Sequence, residues 1–184
     1  MGIITQLDGE ILIWIQEHLR TPFLNTVFMF ITTLGDKGYI WIAASLILMV
    51  PKKTRRIGFV IALSLVLSVL FNNLLLKNIF RRPRPFDKVD GLTSLKTPHD
   101  YSFPSGHTGS SAAASAAMLR ELPLKIGIPA VILASLIAFS RMYLGVHYPT
   151  DIIGGALSGV LISYVSNWIV DLLYKRFGTE KQAL

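Results

Sequence analysis

Residues 57–76, IGFVIALSLVLSVLFNNLLL, form a run of twenty residues with no charged side chain. A helix needs about 20 such residues to cross a bilayer core about 30 Å thick. That single run confines the chain to a membrane. Further apolar blocks lie at 124–139 and from Pro149 to about residue 174, with two shorter ones at 23–34 and 39–50. The shorter pair falls below full-span length. Residues 105–119 read as a helix of small side chains. The sequence therefore predicts an all-α, multi-span helical bundle of about six spans, one membrane-embedded domain over 1–184. Composition agrees: 16% of the residues are charged, where a soluble domain carries about a quarter.

Ahead of the bundle, residues 1–20 place Ile4, Leu7, Ile11, Trp14, Ile15 and Leu19 at helical spacing, with Gln6, Asp8, Glu17 and Arg20 around the rest of the wheel. This predicts an amphipathic helix, either lying at the membrane surface or packed on the bundle. Asp8, Glu10 and Glu17 stand where a secretory leader would have a basic start and an unbroken apolar core. The net charge of +7 gathers in the gaps between apolar blocks, which excludes the spread basic surface of a nucleic-acid binder. Absence of cysteine excludes disulfides, thiolate nucleophiles and cysteine-held metal.

Two helices carry faces small enough for close approach. Residues 109–117 read Gly-Ser-Ser-Ala-Ala-Ala-Ser-Ala-Ala, and the last block holds Gly155 and Gly159 at GxxxG spacing. Each begins at a polar loop bearing a histidine, His107 and His147. Close packing of the two helices would bring those histidines into one site. Ser105 is a natural N-cap, and the first N–H groups of the following helix, from Gly106 onward, offer an anion site.

Three polar clusters fall on one side of the membrane by parity: Lys77 to Pro85, Pro104 to His107, and Ser140 to Asp151. Lys77, six residues, then Arg84-Pro85; Pro104-Ser105-Gly106-His107; and Ser140-Arg141, five residues, His147, three residues, Asp151 together resemble the three-part signature of the type 2 phosphatidic acid phosphatase superfamily. The resemblance covers residues 57–155, the expected catalytic core. Hydropathy places the chain with the membrane-embedded lipid phosphatases of that superfamily. The resemblance implies phosphoryl transfer without metal or cofactor. Lys77, Arg84 and Arg141 would supply cations to the phosphate, with Ser105 Oγ and the Gly106 N–H as neutral donors. His147 would be the nucleophile, forming a phosphohistidine, and Asp151 would hold its far ring nitrogen. His107 would protonate the leaving oxygen and then activate water.

Outside the signature, Arg81, Arg82 and Lys88 are expected to be solvated or headgroup-facing charges, His18 and His99 incidental, and Asp36 part of a Gly-Asp-Lys-Gly turn. The partners implied are the bilayer and a membrane lipid phosphate. Undecaprenyl diphosphate ranks first, and phosphatidylglycerophosphate or phosphatidic acid second; a lipid phosphotransferase would use the same residues. A non-catalytic lipid transporter or scramblase would need the cations but not an imidazole oriented by Asp151. Lys52, Lys53, Arg55, Arg56, Arg120, Lys125, Lys175, Arg176 and Lys181 lie on the side opposite the signature. Short loops rich in Lys and Arg stay inside, so the site is expected on the extracytoplasmic face.

Overall fold

Helix α6 (Gly106–Glu121) carries Gly, Ser and Ala around most of its circumference, and the rest of the bundle closes on it. The computed structural model describes residues 3–178. In chain order these form α1 (Ile3–Leu19), α2 (Pro22–Gly35), a 3-10 turn Asp36–Gly38, α3 (Tyr39–Met49) and α4 (Arg55–Ser68). Helix α4 runs on through a π-helical stretch Val69–Leu76 into α5 (Lys77–Phe80). After a long loop come α6, α7 (Leu124–Tyr143) and α8 (Pro149–Gly178). Three helical segments among the described residues, Arg55–Asp87, Leu124–Tyr143 and Pro149–Arg176, are long and apolar enough to cross a membrane. Helices α2 and α3 are the short blocks of the sequence, turned against each other by Lys37 and Gly38, both with positive φ.

Small residues set how closely the helices approach. A Cβ on Gly155 would stand 2.6 Å from the Ser105 carbonyl, and one on Gly159 would run into the Gly109 carbonyl and Ala112. The GxxxG face of α8 thus lies directly on the N-terminal half of α6. On the other side of α6, Trp41 of α3 is buried and donates from Nε1 to Ser111 Oγ at 2.9 Å. Val60, Ile61, Ala114, Ala117 and Ile137 complete this core. Phe59, Val66, Leu74, Leu161 and Trp168 point outward. In water such a surface would aggregate; here lipid is the solvent, and close packing and polar bonds supply the helix–helix attraction.

Helix ends extend beyond the apolar runs. Residues 57–76 predict a span ending at Leu76, but the helix continues to Phe80. It stops where Arg81 takes a left-handed conformation (φ 45) and Pro83 disfavours helix at the residue before it. Likewise α7 passes residue 139 and ends at Tyr143. Lys77 and Arg141 therefore sit in final helical turns, where a cation meets the negative end of the dipole. At the far end of the bundle Arg56 pairs with Glu121 at 3.1 Å and Asp171 at 2.6 Å, tying α4, α6 and α8 together.

Helix α1 answers both alternatives left open by its pattern. Ile3, Ile4, Leu7, Ile11 and Trp14 are exposed, whereas Asp8, Gly9, Leu12 and Ile15 are buried. One face is apolar and outward, as a membrane-surface helix requires. The other packs on the loops around the site, Leu12 against Leu92 and Tyr148, Ile15 against Tyr143 and Leu144. The expected tail residue Lys181 lies outside the described residues.

Candidate active site

A cavity of about 380 Å³ opens between the ends of α5, α6 and α7. Lys77, Arg84, Gly106, His107, Arg141 and His147 all line it, together with Asp100 and Asn73. Six of the eight sequence-predicted site residues therefore share one space.

The third cluster is shaped by two helix ends. Gly145 (φ 73) donates to Met142 O at 2.8 Å, and Val146 N–H to Arg141 O at 3.1 Å, a Schellman ending to α7. The same Arg141 carbonyl accepts the His147 N–H at 3.3 Å. The five residues between Arg141 and His147 are those that this turn consumes. Helix α8 then starts with Pro149 at its first position. Asp151, in that first turn, accepts the Tyr148 N–H at 2.9 Å, the reciprocal half of a capping box. His147 immediately precedes this cap, so Asp151 Oδ2 stands 3.3 Å from His147 Nδ1.

That contact fixes the imidazole. A carboxylate can only accept, so Nδ1 carries the proton and Nε2 presents its lone pair. Arg84 Nη1 donates to Nε2 at 2.9 Å and to the Val146 carbonyl at 2.7 Å. His147 is fully buried, and burial, then the charges of Arg84, Arg141 and Lys77, push its pKa well below the ordinary value. The ring is neutral at pH 7, which a nitrogen nucleophile requires.

Asp151 stands behind His147 and does not line the cavity. Its Oδ2 also accepts from Ser102 Oγ, and its Oδ1 accepts from Arg82 Nη1 at 2.7 Å. Ser105 does not line the cavity either. It is buried, and its Oγ caps α6, accepting from Thr108 N–H at 3.4 Å and Thr108 Oγ1 at 3.0 Å. Gly106 does face the cavity at the positive end of α6, where a Cβ would run into the Asn73 side chain. Arg141 donates from Nη1 to Thr32 Oγ1 at 2.5 Å, and its buried Nε has no hydrogen-bond partner among the described residues.

Two residues set aside by the sequence have structural roles at the site. Arg82, expected to be solvated, is mostly buried: it pairs with Asp151 and, at 2.8 Å, with Asp8 of α1, and its guanidinium stacks on Tyr148 at 3.8 Å. Asp36, expected in a turn, is in that turn, yet its Oδ1 meets His107 Nε2 at 2.8 Å while Lys96 holds Oδ2 at 3.0 Å. The hydrogen bond from His107 leads in holding the Asp36 carboxyl well below the usual carboxylate range. Charge balance is the signal that could have found these groups. Buried cations need anions, and the acidic residues beside the signature had no other assignment.

A family model described as the PAP2 superfamily matches residues 57–175. The chain is 35% identical over 144 residues to an undecaprenyl-diphosphatase of Sulfolobus acidocaldarius, a match covering 78% of this chain and 69% of the relative. It is 31% identical over 150 residues to undecaprenyl-diphosphatase BcrC of Bacillus subtilis, covering 82% and 77%. Among solved structures, a transmembrane PAP2-type phosphatidylglycerolphosphate phosphatase from Bacillus subtilis aligns with a TM-score of 0.77 at 28% identity, over 96% of this chain and 90% of that one. LpxE of Aquifex aeolicus aligns with a TM-score of 0.72 at 30% identity, over 85% and 92%.

Proposed function

The chain belongs to the PAP2 superfamily and is a membrane-embedded lipid phosphatase, and from that premise we propose that it hydrolyses undecaprenyl diphosphate to undecaprenyl phosphate and inorganic phosphate through a phosphohistidine at His147. The observation that carries this reading is the cavity itself: a neutral, oriented imidazole beside Lys77, Arg84 and Arg141. An apolar groove between α3 and α4, lined by Ile42, Leu46, Ala62 and Val66, shares Lys37, Leu65 and Val69 with the catalytic cavity. A lipid tail lying there would present its terminal phosphate to the cations.

In this mechanism His147 Nε2 attacks the terminal phosphorus, and the bond to the bridging oxygen breaks. Lys77, Arg84 and Arg141 stabilise charge on the equatorial oxygens, and Asp151 the imidazolium that forms. His107 gives a proton to the leaving oxygen and takes one from the water that then cleaves the P–N bond. Burial leads in lowering the His107 pKa to about 4 in the free site. Asp36, an anion against Nε2, opposes that shift and holds the plane of the ring, and the negative charge of a bound phosphate adds to it in favour of the protonated form. His107→Ala is accordingly expected to lower release from an alkyl phosphate by about 10²–10⁴-fold. The loss should be much smaller for p-nitrophenyl phosphate, whose leaving group needs no proton. Equal losses on both substrates would remove His107 from the acid role.

The relatives named as undecaprenyl-diphosphatases support the first-ranked substrate, and the likeness to a phosphatidylglycerolphosphate phosphatase supports a second reading. Phosphate release from undecaprenyl diphosphate, phosphatidylglycerophosphate and phosphatidic acid in detergent decides between them. The diphosphate should show the highest kcat/KM by about tenfold or more, equivalent to about 1.4 kcal/mol of transition-state binding. A preference for phosphatidylglycerophosphate would reverse the ranking.

We place the site on the extracytoplasmic face, on the strength of the cations at the opposite end of the bundle. Lys53 is exposed at that end and Lys88 in the loop beside the site. With no native cysteine, a membrane-impermeant maleimide on intact cells should label Lys88→Cys and leave Lys53→Cys unlabelled. The opposite labelling pattern would put the site in the cytoplasm.

A further inference from the structure

Asp100 occupies the cations that the proposed mechanism reserves for phosphate. Arg84 donates from Nη2 to Asp100 Oδ1 at 2.5 Å and from Nε to the Asp100 carbonyl at 2.9 Å, and Lys77 Nζ pairs with Oδ2. The side chains of Lys77 and Arg84 are 7% and 4% exposed, whereas that of Asp100 is 55% exposed. A carboxylate from the open loop thus reaches inward onto two buried cations. Its two oxygens engage them as two phosphate oxygens would. Arg141, the third cation lining the cavity, has no bond to Asp100, and its buried Nε has no partner among the described residues.

Resting on the reading of Lys77, Arg84 and Arg141 as phosphate ligands, we propose that Asp100 is an internal counter-anion which a substrate must displace. It thereby makes the site select doubly charged terminal phosphates over the singly charged phosphodiester headgroups of bulk lipid. A phosphodiester brings one negative charge and two free oxygens, so its exchange for the carboxylate gains nothing in charge. A terminal phosphate brings a second charge and a third oxygen, which Arg141 is placed to take. The barrier is needed because diester lipids surround the site in large excess over any phosphate monoester or diphosphate. Burial works against charge on Asp100, but its bonds and proximity to Lys77 and Arg84 outweigh it and hold the carboxyl at about 2. The counter-anion is therefore charged throughout the neutral range.

The test compares wild type with Asp100→Asn, isosteric and on an exposed loop, and with Asp100→Ser as a second variant. Both keep the backbone carbonyl that Arg84 uses. Inhibition by orthovanadate and by phosphatidylglycerol in mixed micelles is measured for each. Removing the carboxylate should tighten vanadate binding by about tenfold, the equivalent of about 1.4 kcal/mol. It should also make phosphatidylglycerol an effective competitor at mole fractions that leave wild type unaffected. Vanadate affinity and phosphatidylglycerol insensitivity equal to wild type in the variants, or weaker vanadate binding, would overturn the role of Asp100. Failure of vanadate to inhibit any of the proteins, wild type included, would instead overturn the phosphate-site reading beneath it.

Discussion

His147→Ala is expected to lower phosphate release by about 10⁴-fold or more, the scale on which loss of an enzyme nucleophile is felt. The cavity holds one imidazole with one nitrogen fixed as a lone-pair acceptor by the Arg84 guanidinium and the other tied to a buried carboxylate, and that ring is His147. His107 is the other histidine on the cavity, but its Nε2 is engaged by Asp36. Ser110 Oγ, also on the cavity, bonds only the Gly106 and His107 carbonyls, at 3.0 and 3.2 Å, and no basic side chain among the described residues takes its proton. Brief reaction with labelled substrate, followed by a rapid alkaline quench, should trap an acid-labile phosphoenzyme in wild type and none in the alanine variant. A phosphoenzyme of the same stability in His147→Ala would move the nucleophile elsewhere.

The parts of this site that were legible beforehand are those encoded in short spacings. Five residues between Arg141 and His147 match one Schellman turn, and three between His147 and Asp151 match one capping box; both are local geometry. Gly155 and Gly159 were legible for a different reason. A small face on a membrane helix has few uses besides close contact, and its partner, the Ser and Ala run of α6, was equally small. Arg82 was not legible. A charge within an Arg-Arg-Pro-Arg run is usually solvated, and nothing near it in sequence says otherwise. Its partners Asp8 and Asp151 lie 74 and 69 residues away. Asp36 and Asp100 escaped for the same reason, since each is paired only after the fold brings loops from different helices to one rim. Helix α1 showed its periodicity but not which face pointed where. Asp8 looked like part of a polar stripe and is instead the buried end of an ion-pair network.

That network predicts the second large effect. Arg82→Leu leaves Asp8 and Asp151 buried without their shared cation, and breaking a buried pair in this way costs about 3–5 kcal/mol. Asp8 keeps Thr150, whose N–H and Oγ1 donate to it at 3.2 and 2.5 Å. Asp151 keeps Ser102, Tyr148 and His147, but all three act on Oδ2, leaving Oδ1 without its cation. Activity should fall by about 10²-fold, because Asp151 then aims and stabilises the His147 imidazolium less well. Stability and catalysis can be separated by adding Asp8→Asn, which removes one stranded charge while retaining a side chain able to bond Thr150. The double variant should regain much of the lost thermal stability in detergent. Its kcat should remain low, since the amide at position 8 does nothing for Oδ1 of Asp151. Recovery of kcat in step with stability would show that Arg82 serves the fold alone and that Asp151 needs no second partner to hold its histidine.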